Sequence, residues 1–203
     1  MTAIKTEYQK FFPDHFTLET PRVLLRLVTT QDYEAFLPLT KNKEIWRYFT
    51  KDLSDEQELS SWMQKLFSER EEGIRMPFTI IDKHSNEIAG STSFLNISFY
   101  DKRLEIGSTW LGTSFIGTGL NREAKFALLS FAFEVMKMER VEIKTDNLNE
   151  RSKAALLKVG MKPEGVLRSH MLVHSDRRRD TLYFSIIRSE WEERKIHFFP
   201  EML

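Results

Sequence analysis

At Gly119 the apolar residues change their spacing, and that change constrains the fold more than any other feature of the chain. Before it, "MPFTIID", "EIAGSTSFLNISFY" and "RLEIGSTWL" are short apolar or alternating runs parted by turn residues, which predicts an antiparallel meander of three strands. After it, Ala124, Ala127, Leu128, Phe131 and Val135 mark one helical face, and Phe126, Leu129, Phe133 and Met136 mark a second. A helix apolar on two sides is buried, here against a sheet. Between strand and helix lie Gly112, Gly117 and Gly119, accompanied by Thr and Ser but by no acidic side chain.

The flanking segments extend this pattern. "RVLLRLV" (22–28) reads as a first strand, opened by Pro21, which can begin a strand but not sit within one. The stretch 29–49 is helical in character, with Thr30 as cap and Pro38 expected to break it in two. A second helix opens with Ser54 and Gln57 in capping-box spacing, repeats Leu59, Trp62, Met63 and Leu66, and stops at Gly73. Beyond the buried helix, "RVEIKT" (140–145) is a strand, 149–160 a short helix closed by Gly160, and "VLRSHMLVH" with "DTLYFSII" a final strand pair. No repeat or linker interrupts the chain. It reads as one α+β domain.

Composition narrows the function. Thirty basic residues balance thirty acidic ones, without the basic excess that phosphate-backbone binding needs, so nucleic acid is not expected as a partner. The absence of Cys excludes disulfides, zinc-thiolate sites and thiol nucleophiles, and no residue spacing suggests a metal. The start, "MTAIKTEYQKFFPDH", has no apolar leader and no later run approaches membrane-span length, so a soluble cytoplasmic protein is expected.

A helix N-terminus carries unpaired N–H groups and about half a positive charge. Glycines just before it let a ligand reach that backbone without meeting a Cβ, so phosphate is the chemically natural guest. A plain strand-to-helix turn is the bland alternative. "GTGLNR" begins like a dinucleotide fingerprint, and Glu142 lies at the expected distance, but Arg122 stands where the third Gly should be and the preceding strand belongs to a meander. No Gly-Lys-Ser/Thr follows, which excludes a Walker loop.

Several segments occur together in a telling order. They are "TPRVLLRL", "EIWRYF", "EIAGSTSFL", "RLEIGSTWL", "GTGLNREAKFALLSFAF", "NERSKAALLKVGMKPEGVLR" and "RDTLYFSI". From about Leu18 to Trp191 the chain resembles the GNAT superfamily of N-acetyltransferases, and within it the RimJ/RimL-like branch. The resemblance implies a central mixed, mostly antiparallel sheet of about seven strands flanked by about four helices. It implies a GNAT domain over 18–191, with 1–17 as an N-terminal extension and 192–203 as a C-terminal tail. It further implies acetyl-CoA as co-substrate, held at Trp110, Leu111, Gly117, Thr118, Gly119, Leu120, Asn121, Arg122, Asn149 and Ser152. Two departures stand out. Ile116 replaces the loop's usual Gln or Arg, and Asn121 replaces its last small residue; the backbone donors remain. The superfamily's Tyr four residues before the closing Gly is Leu156 here, and in the RimJ/RimL-like branch a Ser one turn earlier, Ser152, is expected to donate to the departing thiolate.

Asn149 and Ser152 share a helix face. Asn149 is expected to bond the pantetheine arm, against the alternative that Asn147 or Asn149 merely caps the helix. Glu105 is the expected general base, on the strand face of Thr109 and opposite Leu104, Ile106 and Trp110; the alternative is an ion pair with Arg103 or a neighbouring strand's Lys or Arg. Trp46 and Tyr48 are expected to wall the acceptor pocket, with His170 and Tyr183 lining its other side. The expected activity is direct acetyl transfer from acetyl-CoA to a primary amine, either a protein or peptide α-amine or a small-molecule amine. The alternative is a non-catalytic acyl-CoA-binding regulator. A homodimer stays open as the assembly.

Overall fold

The computed structural model describes residues 3–203. Its strands are β1 (Thr17–Glu19), β2 (Val23–Leu27), β3 (Arg75–Asp82), β4 (Glu87–Ser98), β5 (Arg103–Leu111), β6 (Arg140–Asp146), β7 (Lys162–Leu172) and β8 (Arg178–Ile187). The helices are α1 (Ala3–Phe11), α2 (Asp32–Thr40), α3 (Glu56–Glu71), α4 (Leu120–Ser130), α5 (Glu150–Leu157) and α6 (Arg188–Phe198). One sheet holds all eight strands in the order β1-β2-β3-β4-β5-β6-β8-β7. Every pairing is antiparallel except β5 with β6, where α4 supplies the crossover a parallel pair requires. The α+β architecture is as expected, with eight strands rather than seven and six α-helices rather than four.

Two cores sandwich the sheet. Leu25, Phe78, Phe94, Ile106, Val141 and Phe184 point to one side, under α1, α4, α5 and α6. Phe36, Trp46, Leu59, Leu66 and Trp110 form the other, with α2 and α3. Tyr8, Phe12 and Phe199, from the segments 1–17 and 192–203, are buried in the first core.

Local chemistry explains where the helices depart from expectation. Pro38 lies inside α2 without breaking it, and Thr30 is not its cap. The helix is instead pinned by Asp32, a buried carboxylate bonded by Arg26 at 2.5 and 2.8 Å, by Thr79 Oγ1 at 2.6 Å and by the Thr29 N–H at 2.9 Å. Burial pushes the Asp32 carboxyl up, yet Arg26, Thr79 and Thr29 together outweigh it and hold it below the usual range. α3 is capped by Asp55 rather than Ser54, its carboxylate accepting from the N–H groups of Gln57 and Glu58 at 2.8 and 3.0 Å. Asp55→Ala is therefore expected to destabilise the protein by about 1 kcal/mol and Ser54→Ala by almost nothing, measured by urea denaturation. α4 ends in a π-helical turn over Phe131–Val135. That wider turn shifts the helical phase, so Val135 is exposed while Phe131, Phe133 and Met136 stay buried.

Candidate active site

The β5–β6 pairing lasts only from Arg103–Arg140 to Glu105–Glu142. Beyond it β5 runs to Leu111 and β6 to Asp146 with no register between them, so the sheet splays open at its centre. A bulge on β5 reinforces the opening: Ser91 faces Trp110 and Ser93 faces Gly107, leaving Ser108 in the left-handed region at φ 49°. The extra residue also inverts the face alternation. Thr109 turns to the α4 side with Leu104 and Ile106, whereas Trp110 joins the α2–α3 core. The expected grouping of Glu105 with Thr109, and of Trp110 with Leu104 and Ile106, is thus corrected, because sequence alternation cannot register a bulge.

At the open end of the splay, the chain turns into α4. Gly117 and Gly119 take positive φ (80° and 91°), and a Cβ at either would meet only open space. Among the described residues, the N–H groups of Gly117, Thr118 and Gly119 donate to no acceptor. Leu120 and Asn121 begin the helix, where N–H groups have no intrahelical partner. Asn121 Oδ1 is buried without a hydrogen bond. The Thr118 carbonyl is held from behind by Arg22 at 2.6 Å. Donors converge, glycines keep the approach clear, and the helix dipole adds positive potential: the residues present fit an anionic pyrophosphate. Arg122 is the exception. Its guanidinium bonds Glu201 and the Phe198 carbonyl, so its side chain is engaged with the C-terminal segment rather than the loop.

Behind the loop lies a residue that periodicity disguised. Lys125 is buried on the inner face of α4, and its ammonium donates to Thr109 Oγ1 at 2.7 Å, which in turn contacts Thr92 Oγ1 at 2.8 Å. Burial pulls its pKa down to about 7.

On the opposite face, Glu105 is buried. Its Oε2 accepts from Lys144 Nζ at 2.6 Å and from Asn96 Nδ2 at 2.9 Å. The ion pair to a neighbouring strand, raised above as the alternative, is therefore present. Lys144 also reaches Glu142 at 3.3 Å and lies 5.0 Å from the Tyr183 ring centre. Burial works against its charge, but the Glu105 and Glu142 carboxylates prevail and hold its proton more tightly than an ordinary lysine's. Asn149 caps α5, its Oδ1 accepting from the Ser152 N–H at 3.0 Å, and Ser152 is half-buried on the first turn. Trp46 is fully buried, with its indole N–H bonded to the Thr40 carbonyl at 2.8 Å. It is core first, and one edge walls a cavity of about 340 Å³ shared with Phe49, Trp62, Ser108 and Trp110. Tyr48 does not line that cavity; it sits half-buried beside Arg47. His170 is exposed, its ring 6.0 Å from that of Tyr183.

Residues 22–162 match the Acetyltransferase (GNAT) domain family. The chain belongs to the GNAT family of acetyltransferases. YoaA of Bacillus subtilis (strain 168), an N-acetyltransferase by name, is 29% identical over 174 residues, covering 84% of this chain and 96% of its own. A crystal structure of a GCN5-related N-acetyltransferase from Brucella melitensis superposes with a TM-score of 0.83 at 26% identity, covering 94% of this chain and 87% of that one. Mycobacterium smegmatis RimJ, solved in complex with CoA-disulfide, shares the fold with a TM-score of 0.76 at 24% identity, covering 92% and 95%. The GNAT relatives are N-acetyltransferases, and this chain is one by family.

Proposed function

We propose that this GNAT protein transfers an acetyl group directly from acetyl-CoA to a primary amine, as a cytoplasmic enzyme. The observation that carries the reading is the row of N–H groups from Gly117 into α4 that have no partner among the described residues, at the end of the splay between β5 and β6. Gly117 to Asn121 would hold the pyrophosphate, and Asn149 and the free edge of β5 near Trp110 and Leu111 would hold the arm that leads to the thioester. Acetyl-CoA supplies an activated acyl carbon. The amine nitrogen bonds to that carbon and the carbon–sulfur bond breaks; the amine's proton passes to Glu105, directly or through water, and the sulfur leaves as thiolate. Backbone N–H groups near Trp110 would stabilise the developing oxyanion, and the Ser152 hydroxyl would donate to the sulfur.

The amine must be neutral to attack. A peptide α-amine, with pKa about 7.7–8.0, is neutral in about a tenth or more of its molecules at pH 7, whereas a lysine amine near 10.4 needs roughly 3 kcal/mol more to lose its proton. One carboxylate already shared with Lys144 suits the less basic amine.

The loop provides the first test. Gly119→Val puts a branched side chain into the approach and into a φ that β-branched residues avoid. Acetyl-CoA affinity by calorimetry is expected to fall at least tenfold, about 1.4 kcal/mol. Gly165→Val, at another glycine with open space around it but no positive φ, serves as control. A folded Gly119 variant that binds acetyl-CoA like the parent would remove the pyrophosphate from this loop.

A further inference from the structure

The polar face of β6 and β8, together with Arg177 just before β8, carries four cations, and three are paired. Lys144 meets Glu105 and Glu142, Arg140 meets Glu142 and Glu164, and Arg177 meets Asp146. The fourth, Arg179, is 9% exposed. Its Nε donates to Thr181 Oγ1 at 3.0 Å, and among the described residues it forms no ion pair. A guanidinium has five N–H donors, so four here, on the two terminal nitrogens, have no partner among the described residues. None of these nitrogens is sealed from solvent. A charge this buried is ordinarily paired.

Strand register places the group. Lys144 faces Tyr183 and Asp146 faces Thr181, so Arg179, two residues before Thr181, lies on the Glu105 face at the wide end of the splay. It feels the charges of Asp146, Glu105 and Arg177. The hairpin beyond it is tied to the Trp46–Phe49 segment by the His174 N–H on the Phe49 carbonyl. Arg179 thus lies on the strand that runs between the splay and that hairpin. Burial weakens its hold on the proton, but a guanidinium stays charged.

We propose that Arg179 is the receptor for an oxyanion carried by the acceptor, so that the acceptor is a small zwitterion: an amine bearing a carboxylate or a phosphoryl group. This rests on the transferase reading of the same site. A planar fork of free N–H donors matches a carboxylate or phosphate in two-point geometry. Glu105 offers the complementary charge for the amine. Polyamines and aminoglycosides would instead meet Lys144, Arg177 and Arg179 with no anion to offer them.

The test compares each acid with its neutral partner: an amino acid against its amide, and ethanolamine phosphate against ethanolamine. The amide's amine is the less basic, so chemistry alone favours the amide. The parent enzyme is expected to prefer the acids by tenfold or more in KM, and the better of the two acids names the oxyanion. Arg179→Gln should remove that preference, and Arg179→Lys, which keeps charge but loses the fork, should fall between. Melting temperatures are recorded for both variants, and the lysine variant decides if the glutamine one does not fold. Binding of the N-acetylated acid and amide, followed by NMR titration, needs no turnover. Arg179-dependent binding of the acid without acetylation of any amine would overturn the transfer reading and leave the oxyanion receptor standing. Acetylation of acid and amide alike, with Arg179→Lys matching the parent, overturns the receptor and leaves transfer intact.

Discussion

Glu105→Gln is expected to lower kcat/KM by roughly 10²–10³ near neutral pH, with acetyl-CoA affinity almost unchanged. Gln keeps the size of the side chain and can still meet Asn96, but it cannot accept a proton. The loss should shrink as pH approaches the amine's own pKa, where neutral acceptor is abundant and no base is required. Glu105 Oε2 already accepts from Lys144 at 2.6 Å and Asn96 at 2.9 Å, an arrangement that also serves to tie β5 to β6 where their pairing stops.

A purely structural Glu105 predicts a different pair of measurements. Gln would leave the Lys144 ammonium partly buried and short of one carboxylate, which is destabilising whatever the chemistry. The melting temperature would drop, and activity would fall by a smaller factor with the parent's pH profile. One variant measured both ways separates the roles: a destabilised protein with a parent-like profile would assign Glu105 to the strand tie alone.

The residues that were legible and those that were not differ in the physics that selects them. The meander and α4 announce themselves because burying apolar surface imposes periods of two and 3.6 on the sequence. The loop was legible because Gly117 and Gly119 occupy a conformation that other residues resist. Ser108 adopts such a conformation without being glycine, so nothing in "EIGSTWL" marked the bulge that turns Thr109 and Trp110 around. The ionic groups of the site were hidden for another reason. Lys125, Lys144 and Arg179 acquire meaning only from neighbours 16 or more residues away or from lacking one, and a strand's own sequence does not record its partners. A lysine at an inward position of α4 was the one available signal. Of the two aromatics expected to wall the acceptor pocket, Trp46 fills the core and gives an edge to the cavity, whereas Tyr48 lies outside it, a difference that aromatic spacing does not record.

Ser152→Ala is expected to lower kcat about ten- to hundredfold while leaving acetyl-CoA affinity and melting temperature close to the parent's. The structure makes this substitution unusually clean. α5 is capped through the Ser152 backbone N–H, which donates to Asn149 Oδ1 at 3.0 Å and which alanine retains. Among the described residues, the hydroxyl makes no hydrogen bond whose loss would destabilise the fold. What alanine removes is therefore a donor on the first turn of a helix, where the dipole already favours a developing negative charge. A donor that acts only on the departing sulfur stabilises the transition state and not the bound thioester, so kcat should fall with little change in affinity. The loss should also diminish with an acyl donor whose thiol is more acidic, because a better leaving group needs less help. Parent-like turnover in a folded Ser152→Ala protein would leave the residue as a helix-start position and return the protonation of the thiolate to solvent.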